Sequence, residues 1–173
     1  MQNLHKIVSA NRPLFIFIIG YLVIRVLLLN ANYTEWGDTF RMIRAADYLS
    51  NGSWPWDEKR WPLYSVFLIP GIWLNAPIFW GRMLSIFIST GSIVMIYAFY
   101  LKFISRKDDS LHSSTVASQR KLYALLASIF AVTSSIFGYW SIRVMADPLF
   151  ALLILIYFYY LPDLYKKNNH RVL

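Results

Sequence analysis

TEWGDTFRMIRAADYLSNGSWPWDEKRWPLYSVFLIP, residues 34–70, is the stretch around which the remainder of the chain is arranged. Apolar runs stand on both sides of it. It nevertheless carries five of the chain's nine acidic residues, Glu35, Asp38, Asp47, Asp57 and Glu58, and four of its seven tryptophans, Trp36, Trp54, Trp56 and Trp61. A plain connecting loop has little need of that mixture. Carboxylates, basic residues and wide aromatic rings between apolar runs suit a polar ligand handled at a membrane surface.

Outward from that stretch, composition sets the class. Hydrophobic residues make up 57% of the 173, charged residues only 15%, and the mean hydropathy is +0.43. A soluble domain carries about a quarter charged residues. By length the chain is one domain, but its apolar residues come in blocks long enough to cross lipid. There is no cysteine, so neither a disulfide framework nor thiolate chemistry is available. The formal charge of +8 raises nucleic acid as a partner, and the placement of the basic residues argues against it.

Before the stretch lies the first expected span, residues 14–30, opening LFIFIIGYLVIRVLLL after Pro13, whose missing N–H costs nothing at a helix start. The run is longer than a signal-peptide core and no small-x-small cleavage site follows, so it reads as a retained transmembrane helix. Arg25 interrupts it, either snorkelling to the outer interface or facing the protein and pairing with an anion. Residues 31–82 form an outer loop. Within it the spacing predicts a helix over 37–49, stopped by Asn51-Gly52. At about 100° per residue, Asp38, Arg41, Met42, Ala45 and Leu49 share one face, and Phe40, Ile43, Arg44 and Asp47 the other. Asp38 is then a helix N-cap, a reactive carboxylate, or both. Asp47 is expected to pair with Arg44 at i,i+3. Pro55 and Pro62 interrupt residues 53–62, whose Asp57-Glu58-Lys59-Arg60 run reads first as a solvated turn. Residues 63–74 are too short to span and read as an interfacial or re-entrant helix.

Further spans are expected over 83–101, 122–137 and 148–161. Arg82 stands at the entrance of the second, a polar loop fills 102–121, and a turn with Tyr139, Trp140, Arg143 and Asp147 precedes the fourth. The expected fold is all-α, a polytopic transmembrane bundle of about four helices with interfacial helices in its outer loop. With the N-terminus inside, Lys6, Arg12, Lys102, Arg106, Lys107, Arg120, Lys121, Lys166, Lys167 and Arg171 collect on the inner face, as the positive-inside rule requires. All seven tryptophans then fall outside. This gives a multi-pass plasma-membrane protein with a cytoplasmic N-terminus.

Several chemistries drop out. His5, His112 and His170 fall on the inner side and far apart in sequence, so no histidine metal site is expected. No Gly-rich phosphate loop and no GxSxG is present, and no histidine serves an outer Ser/His/Asp set. Carboxylates with Arg and Lys on an outer face remain. They suit group transfer from a phosphate-bearing lipid without metal or cofactor: a carboxylate takes the acceptor's proton and a cation steadies the departing phosphate.

The order of these features resembles the opening of a GT-C glycosyltransferase. A first helix leads to an outer loop with Gly37-Asp38 near its start, then Ala45-Ala46, Leu49 and Gly52. Lys59-Arg60 comes just before Trp61-Pro62-Leu63-Tyr64, which is similar to the family's PPLY-type segment. Gly81-Arg82 and Ser85 open the second span, and Ala146-Asp147-Pro148-Leu149 heads the fourth. The branch resembled most is that of the dolichyl- or polyprenyl-phosphate-sugar transferases, including protein O-mannosyltransferases and lipid A aminoarabinose transferases. The likeness covers nearly all of the chain through short motifs. It departs at Thr39, where the family often has an acidic residue after the first Asp.

The resemblance implies that residues 1–173 are the N-terminal part of a longer transferase. Its donor would be a lipid-linked sugar, in contact with membrane lipid, and its acceptor is not named by the sequence. Asp38 would be the catalytic base, Lys59, Arg60 and Arg82 would hold the phosphate, and Trp61, Tyr64 and Asp147 would contact substrate. Trp54 and Trp56 add stacking surfaces, although an interfacial aromatic belt explains most of these rings. The rival reading is a small non-enzymatic multi-pass protein, a transporter subunit or assembly partner, which needs no particular outer carboxylate.

Overall fold

Pro13 opens the first helix within its first turn, and α1 then runs Arg12–Leu27. The computed structural model describes residues 11–29, 35–103 and 114–169. Six helices follow: α2 Gly37–Ser50, α3 Leu63–Trp73, α4 Pro77–Phe103, α5 Ser114–Thr133, α6 Ser135–Trp140 and α7 Asp147–Asn169. No strand occurs among the described residues, and the fold is all-α. Lys6, Arg106, Lys107, Arg171, the three histidines and much of the expected polar loop lie outside the described residues.

Local chemistry sets the boundaries in the decisive stretch. Asn51 ends α2, and Gly52 takes φ +74°, a left-handed turn that glycine enters without a Cβ penalty. The Gly52 and Ser53 amides then close on the Leu49 and Tyr48 carbonyls. Between α3 and α4, Asn75 adopts φ 53°, a conformation that Asn tolerates better than most residues. Ser134 divides the apolar run 122–137: its hydroxyl accepts from the Phe137 amide and caps α6.

α4 is the axis. Met42 and Ala46 of α2, Tyr64 and Leu68 of α3, and Val144 and Met145 of the turn before α7 close a core with Ile88 of α4. A second core forms farther along, where Leu14 and Tyr21 of α1 and Ala124 of α5 meet Ile93 and Tyr97. Small residues allow close approach. Ser85, Ser89 and Ser92 are buried on α4, and Ser92 satisfies its hydroxyl on the Ile88 carbonyl one turn back. At Gly81 an added Cβ would stand 2.7 Å from a Val144 methyl.

Among the described residues, α4 and the Asp147–Tyr165 part of α7 are long and apolar enough to cross a membrane. α3 is apolar but only 11 residues long. α7 exposes Phe150, Leu153, Ile154, Tyr157 and Phe158, an exterior suited to lipid and not to water. These features support a membrane protein.

Candidate functional site

Extended backbone at Trp36 (φ −82°, ψ 158°) turns the chain into α2, and no side chain caps that end. Asp38 therefore lies inside the first turn and is not the cap. Its Oδ1 accepts from the Arg60 guanidinium at 2.6 Å. Arg60 also reaches Glu58, with its second terminal nitrogen 3.3 Å and its backbone amide 3.0 Å from Oε1. The Glu58 side chain is only 2% exposed, and Arg41 Nε lies 3.7 Å from its other oxygen. The Trp54 indole donates to the Glu58 carbonyl at 3.3 Å. The Asp57–Arg60 run is thus no solvated turn. Its charges fold it onto α2.

Arg44 takes part in the same docking. Its Nη2 lies 2.8 and 2.7 Å from the two oxygens of Asp57, and this hydrogen bond holds the Asp57 carboxyl below its ordinary range. The expected Arg44–Asp47 pair is replaced, because one guanidinium nitrogen bridges the two oxygens of a carboxylate presented across the turn. The Asp47 carbonyl instead accepts from the Ser50 and Asn51 side chains.

Asp38 and Arg60 line a cleft of ≈350 Å³ with Trp36, Trp140, Met145 and Asp147. A second space, an open groove of ≈390 Å³, is lined by Arg60, Trp61, Tyr64, Leu149, Phe150 and Asp147, among others. The two share Arg60, Ala146 and Asp147. One is aromatic and charged, and the other is mostly apolar. Arg60 and Asp147 stand where they meet.

The remaining residues of interest divide between these spaces and the frame. Trp61, 90% exposed, stands at the lip of the groove. Lys59 is exposed and lines neither space. Tyr64 is buried; its hydroxyl lies 3.2 Å from Ser85 Oγ, which donates to the Arg143 carbonyl at 2.5 Å. Burial pushes the Tyr64 phenol up to about 12. Arg82 is deep in the frame: Nε bonds Glu35 at 2.7 Å, and a terminal nitrogen donates to the Leu29 carbonyl at 2.7 Å. Thr39, fully buried, has its hydroxyl 3.2 Å from the other Glu35 oxygen and 3.0 Å from the Val144 carbonyl. Arg25 faces the protein, but its partner is the Gly138 carbonyl at 3.2 Å and not an anion.

Sequence reasoning passed over Glu35, Glu58 and the indole pair. Trp54 is occupied with Glu58 and Trp56 is 96% exposed, so the rings that line the cleft are Trp36 and Trp140. The one available signal was spacing: Glu35 and Thr39 stand four apart, with Arg82 awaiting a partner at the head of an apolar helix. Among the described residues no group of three or more His, Cys, Asp or Glu side chains is placed to hold a metal ion. Compared with protein families, curated proteins and solved structures, the chain finds no match in any of the three.

Proposed function

We propose that this chain belongs to a multi-pass membrane glycosyltransferase of the GT-C kind, with four crossings near α1, α4, α5 and α7. It moves a sugar from a polyprenyl-phosphate donor to an acceptor hydroxyl on the outer face of the plasma membrane, with the N-terminus cytoplasmic. One observation carries the reading: a charged aromatic cleft and a mostly apolar groove meet at Arg60 and Asp147. A prenyl-phosphate sugar has the same order of parts, with a polar ring, a phosphate and a hydrocarbon chain.

In this reading Asp38 is the general base. It takes the proton of the acceptor hydroxyl as that oxygen bonds the anomeric carbon, and the bond from that carbon to the phosphate oxygen breaks. The electron pair leaves on the prenyl phosphate, which Arg60 steadies, and Lys59, which lines neither space, takes no part. Arg60 rests on Asp38 at 2.6 Å, so an arriving phosphate competes for the guanidinium and uncovers the base. Arg82, engaged with Glu35, supports the loop and leaves the phosphate to Arg60.

The non-enzymatic reading draws on the same ion pair, since a pair that only braces a loop needs no ligand. Asp38→Asn separates the two. Asn keeps an oxygen for Arg60 but cannot take a proton. Transfer from a labelled lipid-linked sugar is expected to fall by at least about a hundredfold, with insertion and donor binding retained. Near-normal transfer would leave Asp38 as a brace.

A further inference from the structure

Two indoles that no motif singles out line the polar cleft. Trp36 leads into α2 and Trp140 ends α6, and their rings meet edge to face with centroids 6.0 Å apart at 63°. Tyr139 fixes them in place. Its hydroxyl accepts from the Trp36 indole nitrogen at 2.8 Å, and its ring lies 4.9 Å from that of Trp140. The Arg143 guanidinium sits over the Tyr139 ring at 4.2 Å, adding a cation–π contact to the same support. The same cleft is lined by Asp38, Arg60 and Asp147.

We infer that this cleft is a monosaccharide subsite in which Trp36 and Trp140 form the stacking surface that determines which sugar is held. A sugar ring carries C–H groups on its faces and hydroxyls around its rim. The C–H groups, slightly positive, settle on the negative faces of indole rings. The hydroxyls donate to Asp38 and Asp147 and accept from Arg60. An apolar ligand would take water from three charged groups and offer them no hydrogen bond in return. A flat nucleobase wants two parallel rings, whereas indoles inclined at 63° make a corner that suits a puckered ring. The volume of ≈350 Å³ is at the small end for ligand sites and suits one ring better than a chain of them.

This assignment deepens the transferase reading and rests on it for the attachment of the sugar to a lipid. Two probes keep the claims apart: methyl glycosides of mannose, glucose, galactose and arabinose, and farnesyl phosphate without a sugar. The full chain in detergent is titrated with each. At least one glycoside is expected to bind the parent chain, and Trp36→Ala and Trp140→Ala should each weaken that binding roughly three- to tenfold. Farnesyl phosphate should bind both variants as it binds the parent. Trp36→Phe and Trp140→Phe, which keep a ring, should hold most of the glycoside affinity and serve if an alanine variant fails to fold. Trp73→Ala, at the exposed end of α3, should change neither titration. Failure of all four glycosides to bind, or parent-like binding by both alanine variants, overturns the sugar subsite. A glycoside that binds through Trp36 and Trp140 while farnesyl phosphate fails to bind upholds the subsite and removes the lipid-phosphate reading.

Discussion

Glu35 and Arg82 are both almost out of reach of solvent, with side chains 2% and 9% exposed. Removing one member of such a pair leaves the other charged and uncompensated, which costs about 3–5 kcal/mol. Glu35→Gln is therefore expected to destabilise the protein by that order in denaturant titrations. The double change Glu35→Gln with Arg82→Met should cost less than the sum of the two single ones, and strict additivity would show that the pair is not coupled. Arg82→Met should leave donor affinity per folded molecule unchanged, whereas Arg60→Ala lowers it roughly tenfold or more. Arg82 stood out in the sequence as a cation at a helix entrance, and that marked the position without revealing its job. Which anion it meets depends on a carboxylate 47 residues away, and no local pattern encodes that.

Helix boundaries were the most legible level, because they are local. The Asn51-Gly52 stop and the short apolar helix over 63–74 stand where the sequence places them. By contrast, α4 starts at Pro77, ahead of the expected 83–101 span, and α5 starts at Ser114, inside the expected polar loop, and stops at Thr133. What failed was the Asp57–Arg60 segment, since its charges answer to α2 and not to their neighbours in the chain. The packing of α4 against the turn before α7 is likewise a long-range matter. Gly81 meets Val144 there, and an added Cβ would also come within 3.1 Å of a Leu68 methyl. Gly81→Ala is expected to cost about 1–3 kcal/mol by overpacking. It should weaken glycoside binding as well, because Met145 and Ala146 of the displaced turn line the cleft. Gly20→Ala, with nothing within 4 Å of the new methyl, should be neutral or slightly stabilising, because Ala is the better helix former. Equal losses in the two variants would show that the close approach at Gly81 is unimportant.

At the scale of the whole molecule, the two long apolar helices support a membrane setting, and the positive-inside rule predicts a direction. Both termini and the 102–121 loop should face the cytoplasm, with residues 34–80 outside. In the cysteine-free chain, Ser53→Cys should react with an impermeant thiol reagent on intact cells and Ser114→Cys should not. The opposite pattern would invert the molecule. The cleft itself was half legible: Asp38, Arg60 and Asp147 were each suspected, but nothing in their spacing shows that the three converge. The Arg82 clamp has a consequence for how the chain is made. Leu29 and Glu35 leave the ribosome well before Arg82, which follows Leu29 by 53 residues. Until then a helix-end carbonyl and a carboxylate lack their cation. During biosynthesis the Glu35 carboxylate must therefore stay hydrated until α4 has been made and brings the guanidinium that draws it in.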